Sequence, residues 1–178
     1  MTVTNVSQKK PDLILEQYFL GKTFASGIFE DRFGNVRRQF TVDIDGTWDG
    51  KTLTLTEDFI FGDGETETRV WSIEKIAPAS YVGTADDVIG SAKGIVSGNT
   101  LNWKYDMRLK VGGSRVKVHF DDWMFLQPNG VLINKATVSK LGLDIGRVTI
   151  AFTKKADADF LSTVSSTTIE PLVATLGR

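Results

Sequence analysis

The chain has 178 residues, 41% hydrophobic and 24% charged, with a formal net charge of −1 and no cysteine. That length suits one domain with a sizeable core, and the near-neutral charge argues against nucleic acid or an anionic membrane as the main partner. Lack of cysteine excludes disulfides, thiolate metal sites and cysteine nucleophiles.

In chain order, residues 1–10 are a polar, mobile lead-in with no apolar signal core, and no run anywhere approaches transmembrane length. The chain therefore reads as soluble and cytoplasmic, without stable membrane insertion. Pro11 to Gly21 carries the signals of a short helix, with proline and an acid at its start and glycine at its end. It is too short to stand alone and must lie against something. After Gly21 alternation replaces the helical period. The candidate strands are Thr23–Asp31, Arg37–Thr47, Lys51–Phe61, Glu65–Ile76, Ser80–Asp86, Ser91–Val96, Thr100–Lys110, Arg115–Gln127, Gly130–Ser139 and Ile145–Lys154. Turn signals such as Gly34-Asn35, Asp49-Gly50, Gly62-Asp63-Gly64, Gly98-Asn99 and Pro128-Asn129-Gly130 separate them. Links this short force antiparallel neighbours.

A meander of this length must close or expose long edges. The expected fold is all-β: an antiparallel up-and-down barrel of about 8–10 strands with a short N-terminal helix and a C-terminal tail. A β-sandwich is the alternative, but it wants longer crossovers than the sequence offers. The expected division is 1–20 for the tail and capping helix, 21–155 for the barrel, and 156–178 for a C-terminal tail with helical potential. A homodimer through a sheet edge or through that tail is compatible with the sequence.

Alternation also assigns faces. Leu101, Trp103, Tyr105, Met107 and Leu109 share one side of their strand, as do Phe40, Val42 and Ile44, and these sides should line the interior. A three-residue loop at Gly62-Asp63-Gly64 then sets Glu57 opposite Arg69, Leu55 opposite Trp71 and Leu53 opposite Ile73. The two charges become an interior ion pair, for which the planar guanidinium is well suited. The loop around Gly112-Gly113 sets Met107 opposite Val118, Tyr105 opposite Phe120 and Trp103 opposite Asp122. Taking Pro128-Asn129 as the next turn puts Asp122 opposite Lys135, a second interior pair, whereas a bulge would substitute Asp121 or Asn134.

Several segments together carry a resemblance: Gly27-Ile28-Phe29-Glu30-Asp31-Arg32-Phe33-Gly34, Glu57-Asp58-Phe59, Arg69-Val70-Trp71, Thr84-Ala85-Asp86-Asp87-Val88-Ile89-Gly90 and His119-Phe120-Asp121-Asp122-Trp123-Met124. In motif order and wording the chain resembles domain of unknown function family 3833, over about Gly21 to Lys154. The resemblance implies a bacterial, calycin- or lipocalin-like barrel with no established activity. It also implies secretion or lipid anchoring in many members, whose signal and lipobox cysteine this chain lacks. Neighbouring genes of fatty-acid modification among those relatives point to a lipid-like ligand.

Other chemistry finds little support. His119 is the only histidine and faces outward by parity. Asp86-Asp87 and Asp121-Asp122 match neither an EF-hand nor zinc spacing, so no metal and no cofactor are expected. Asp86-Asp87 suit a turn or the barrel mouth. There is no Gly-x-Ser-x-Gly, the glycines form no phosphate cradle, and Arg32, Arg37 and Arg38 are only a local basic cluster. The leading expectation is an interior site for a small apolar or amphipathic molecule, such as a fatty acid. In it Arg69 and Lys135 face an anionic head against Glu57 and Asp122, while Trp71, Trp103, Tyr105 and Met107 form the apolar wall. The competing readings are ion pairs that only fix register, a lipid-modifying enzyme using Glu57 and Asp122, and a structural barrel filled with side chains.

Overall fold

The alternating segments become ten strands in the computed structural model, which describes residues 1–6, 10–111 and 113–154. They are β1 (Gly21–Asp31), β2 (Val36–Trp48), β3 (Thr52–Phe61), β4 (Thr66–Ala77), β5 (Ser80–Thr84), β6 (Val88–Ser97), β7 (Thr100–Val111), β8 (Ser114–Leu126), β9 (Leu132–Lys140) and β10 (Leu143–Thr153). Each strand pairs antiparallel with its chain neighbours, and β1 pairs with β10, so the sheet closes into a barrel. Closure leaves the ten strands no free edge, and the edge route to a homodimer thus has nothing to pair with. The helical expectation for 156–178, and any dimer contact through that tail, fall outside the described residues.

Three hairpin loops share one construction. Arg32 to Gly34, Gly62 to Gly64 and Pro128 to Gly130 are closed by hydrogen bonds from Asp31 N to Asn35 O (2.9 Å), Phe61 N to Glu65 O (2.9 Å) and Gln127 N to Val131 O (2.8 Å). The third residue of each is glycine, at φ 85°, 87° and 84°, the left-handed position that a three-residue hairpin requires. At Gly62 to Gly64 this yields the expected register, with Glu57 opposite Arg69 and Leu55 opposite Trp71. The β7–β8 register also matches, with Trp103 opposite Asp122 and Tyr105 opposite Phe120.

The β8–β9 register departs from expectation. Gly130 belongs to the loop, so the ladder shifts by one residue: Asp122 lies opposite Ala136, and Lys135 opposite Trp123. A one-residue slip exchanges faces, which puts Lys135 outside, exposed, and Asn134 inside, buried. The expected Asp122–Lys135 pair does not form.

One end of the barrel is plugged by the N-terminal segment. The expected helix over Pro11–Gly21 is a single turn, α2 (Leu15–Tyr18), and another turn, α1 (Val3–Val6), forms in the polar lead-in. Helix starts late because Leu13 N is already bonded to Gly98 O across the β6–β7 turn (2.8 Å), and Ile14 is still extended. Leu15 and Phe19 are 2% and 3% exposed. Around them Glu16 accepts from Lys75 Nζ (2.5 Å) and Tyr81 OH (2.7 Å), and the Tyr18 hydroxyl lies 3.0 Å from Gly130 O and 3.1 Å from Phe152 O. The plug is thus tied to β4, β5, β10 and two turns. Among the described residues no helix is long and apolar enough to cross a membrane.

Candidate functional site

Inward side chains of the closed sheet surround a cavity of about 460 Å³. Its floor is apolar, made by Leu15 and Phe19 of the plug with Ile44, Leu101 and Phe152. Above the floor stands an aromatic wall. Trp103 lies across β5 and β6, where a Cβ on Gly83 or Gly94 would come within 2.6 or 2.4 Å of its ring; the two glycines make room for the indole. Trp71 meets Trp103 edge-on (5.7 Å between centroids) and Tyr105 edge-on (5.4 Å), and Tyr105 stacks on Phe120 (5.1 Å).

A polar band crosses this wall at mid-height. Arg69 on β4 sends Nε and Nη2 to the Asp87 carboxylate at 3.0 and 2.9 Å. Glu57, its partner by register, is only the second contact, at 3.7 Å, and Glu67 is a third at 3.9 Å. The guanidinium also stands 5.1 Å from the Phe59 ring centre. Three carboxylates therefore share one cation. Burial lifts the Glu57 carboxyl to about 7, and Asp87 adds to that, against the opposing pull of Arg69 and the Trp71 indole. On the other side of the cavity, burial likewise lifts Asp122 to about 7; the polar groups of Tyr105 and Asn134 and the charge of Arg69 oppose it, and Asp121 reinforces it. Burial and the neighbouring Asp122 raise the Tyr105 phenol well above its ordinary value, so Tyr105 is a neutral hydroxyl.

The plugged end is opposite the mouth, where Arg37, Arg38, Phe61 and Lys110 line the opening. Arg38 lies 3.5 Å over the Phe61 ring and pairs with Asp63 (3.1 Å) and Glu65 (2.5 Å). Arg37 pairs with Asp31 at 2.6 Å.

Of the residues singled out in the sequence, Glu57, Arg69, Trp71, Trp103, Tyr105 and Asp122 line this cavity. Met107 does not: it is 3% exposed and packs with Val118, Phe120, Ala136 and Val138 in a second core cluster. Lys135 is outside the barrel, as the register requires. His119 faces outward, with Nδ1 2.7 Å from Asp106 Oδ1. Two polar residues were missed. Asp87 sits in the β5–β6 link, beyond the reach of ladder counting, though its place between two strands hinted at the mouth. Asn134 had a signal, the bulge alternative to Lys135. Among the described residues no group of three or more histidine, aspartate or glutamate side chains is placed to hold a metal ion.

Known proteins bear on this geometry in two ways. A family model described as protein of unknown function (DUF3833) matches residues 1–154. The structure of the S-type phycobiliprotein lyase CPES from Guillardia theta is similar in fold, with a TM-score of 0.54 at 6% identity over 77% of this chain and 87% of that chain. No curated protein matches the sequence.

Proposed function

The chain belongs to the DUF3833 family of unknown function, and from that premise we propose that it binds a small, mostly apolar, lipid-like molecule inside its barrel. One observation carries the reading: an aromatic-walled cavity of about 460 Å³, sealed at one end by α2. Ligand sites are commonly concave, mainly apolar and roughly 300–1,000 Å³ in volume, with a few placed polar groups. A barrel packed solid with side chains would leave no such space. Likeness to a phycobiliprotein lyase supports the barrel and nothing finer at this identity.

Native mass spectrometry with organic extraction of the purified protein, joined to tryptophan-fluorescence titration, tests the proposal. A co-purifying apolar compound, or a saturable emission change that is lost in Trp103→Leu, is the expected result. A ligand-free protein whose emission ignores a panel of fatty alcohols, amines and acids would refute it.

A second reading has one specific observation behind it: Glu57 and Asp122, both lifted to about 7 by burial, face the same cavity. Acids tuned near neutrality suit proton transfer. In the same titration, Glu57→Gln and Asp122→Asn variants that bind the extracted compound but no longer convert it would favour an enzyme over a carrier.

A further inference from the structure

Two buried oxygens inside the barrel have no hydrogen-bond partner among the described residues: Asp122 Oδ1 and Asn134 Oδ1. They come from adjacent strands, β8 and β9, their residues are 4% and 3% exposed, and both residues line the cavity. A buried acceptor stripped of water and given no donor is costly, and native proteins keep few of them. Turning the Asn134 amide over does not help. Its NH2 side favours the ionised form of Asp122, and reversal would set two oxygens against each other. With Asp122 ionised, the site therefore holds a matched pair of free acceptors.

Among the described residues nothing bonds these two oxygens. Arg69, from β4, is committed to Asp87, Glu57 and Glu67. The Tyr105 hydroxyl from β7 and the Asn134 amide favour the ionised Asp122 carboxyl, yet neither bonds its Oδ1, and the Asp121 charge on β8 only adds to the negative field. A carboxylate entering this band would meet Glu57 and Asp122, and the cation beside them, Arg69, is already committed. A group with hydrogen to give would complement the two oxygens in this wall.

Resting on the reading that the barrel carries a ligand, we propose that this ligand bears an N–H or O–H donor, as an alcohol, amide or amine does, held between Asp122 and Asn134. A free carboxylate is not its recognised group. The fatty-acid head expected beside Arg69 and Lys135 is thereby replaced by a fatty alcohol or amine type of head on the opposite wall.

Decanol, decylamine, decanoate and the purely apolar 1-decene, titrated at pH 8 by tryptophan emission and calorimetry, provide the test. Decanol and decylamine should bind at least about tenfold more tightly than decanoate, a difference of about 1.4 kcal/mol. Asp122→Leu and Asn134→Leu, each near in shape and each removing one orphaned oxygen, should erase that preference while 1-decene binding persists. Thermal melts of both variants register the contacts to Tyr105 and between the two side chains that are lost with those oxygens, and the 1-decene arm reports an intact cavity. Decanoate binding as tightly as decanol, or a preference unmoved in both variants, overturns the donor site and leaves the apolar cavity standing. Failure of all four probes, 1-decene included, overturns the cavity reading and the donor site with it.

Discussion

At the scale of single residues, an acid placed inside a barrel couples folding to pH whatever else it does. Burial is the main cause that holds Asp122 and Glu57 at about 7, against about 4 in an unfolded chain. Between those values the folded state binds more protons than the unfolded one, so stability falls as pH rises from about 4 to about 7 and is flat above. Paired surface carboxylates act in the opposite sense and lower down. Asp31 is resisted by desolvation but pulled to about 2 by Asn35, Arg37 and Phe33 donors, and its contribution is lost only as pH drops below about 4. The window from pH 5 to pH 8 therefore separates the interior acids from the paired surface carboxylates. The melting temperature should fall across it, and Asp122→Asn should remove roughly half of that fall, several degrees if the acid costs about 2–3 kcal/mol when ionised. Equal slopes for the parent protein and Asp122→Asn in thermal melts would mean that Asp122 is hydrated and ionised throughout.

At the scale of elements, the plug is the part of the fold that local propensity cannot explain. One helical turn has no stability of its own; α2 exists because Leu15 and Phe19 are buried and its rim contacts are satisfied. The sheet makes room for it at Gly46 on β2, where a Cβ would lie 1.7 Å from Phe19 O, a backbone atom that cannot swing aside. Gly46→Ala should therefore cost about 1–3 kcal/mol and speed hydrogen exchange over residues 13–19. Gly62→Ala is the control, since its added Cβ meets nothing nearer than 3.6 Å. If both variants melt together, the plug is not seated as described. The same scale separates what was legible in the sequence from what was not. Strand count, facing and the Glu57–Arg69 opposition follow from alternation and loop length, which are local quantities. The β8–β9 register turned on whether Gly130 belongs to strand or loop, and that single residue decided between Lys135 and Asn134. Asp87 was out of reach because a link residue has no ladder position, and the plug was overestimated because Leu13 spends its N–H on Gly98.

At the scale of the whole molecule, ten strands enclose more space than their inward side chains fill, since a barrel of about eight is already just wide enough to be packed solid. The hollow is a property of closure, strand number and the glycine shelf under Trp103 together, so no single segment announced it. Wall atoms facing empty space lose dispersion partners, and a cavity kept for a ligand therefore reduces stability in the ligand-free protein. Ala136 is suited to measure that trade. It is 1% exposed, lies on β9 directly opposite Asp122, and faces the cavity with the smallest side chain of its surroundings. Ala136→Leu places three further carbons in the hollow, worth on the order of 1–2 kcal/mol if they find only empty space to fill. The variant should melt a few degrees higher without ligand and bind 1-decene or decanol at least about tenfold more weakly. A lower melting temperature would show that the wall around Ala136 is already packed and the usable space smaller than its outline. A higher one with unchanged affinity would move the ligand away from β9, and with it away from the two oxygens that give this cavity its chemical character.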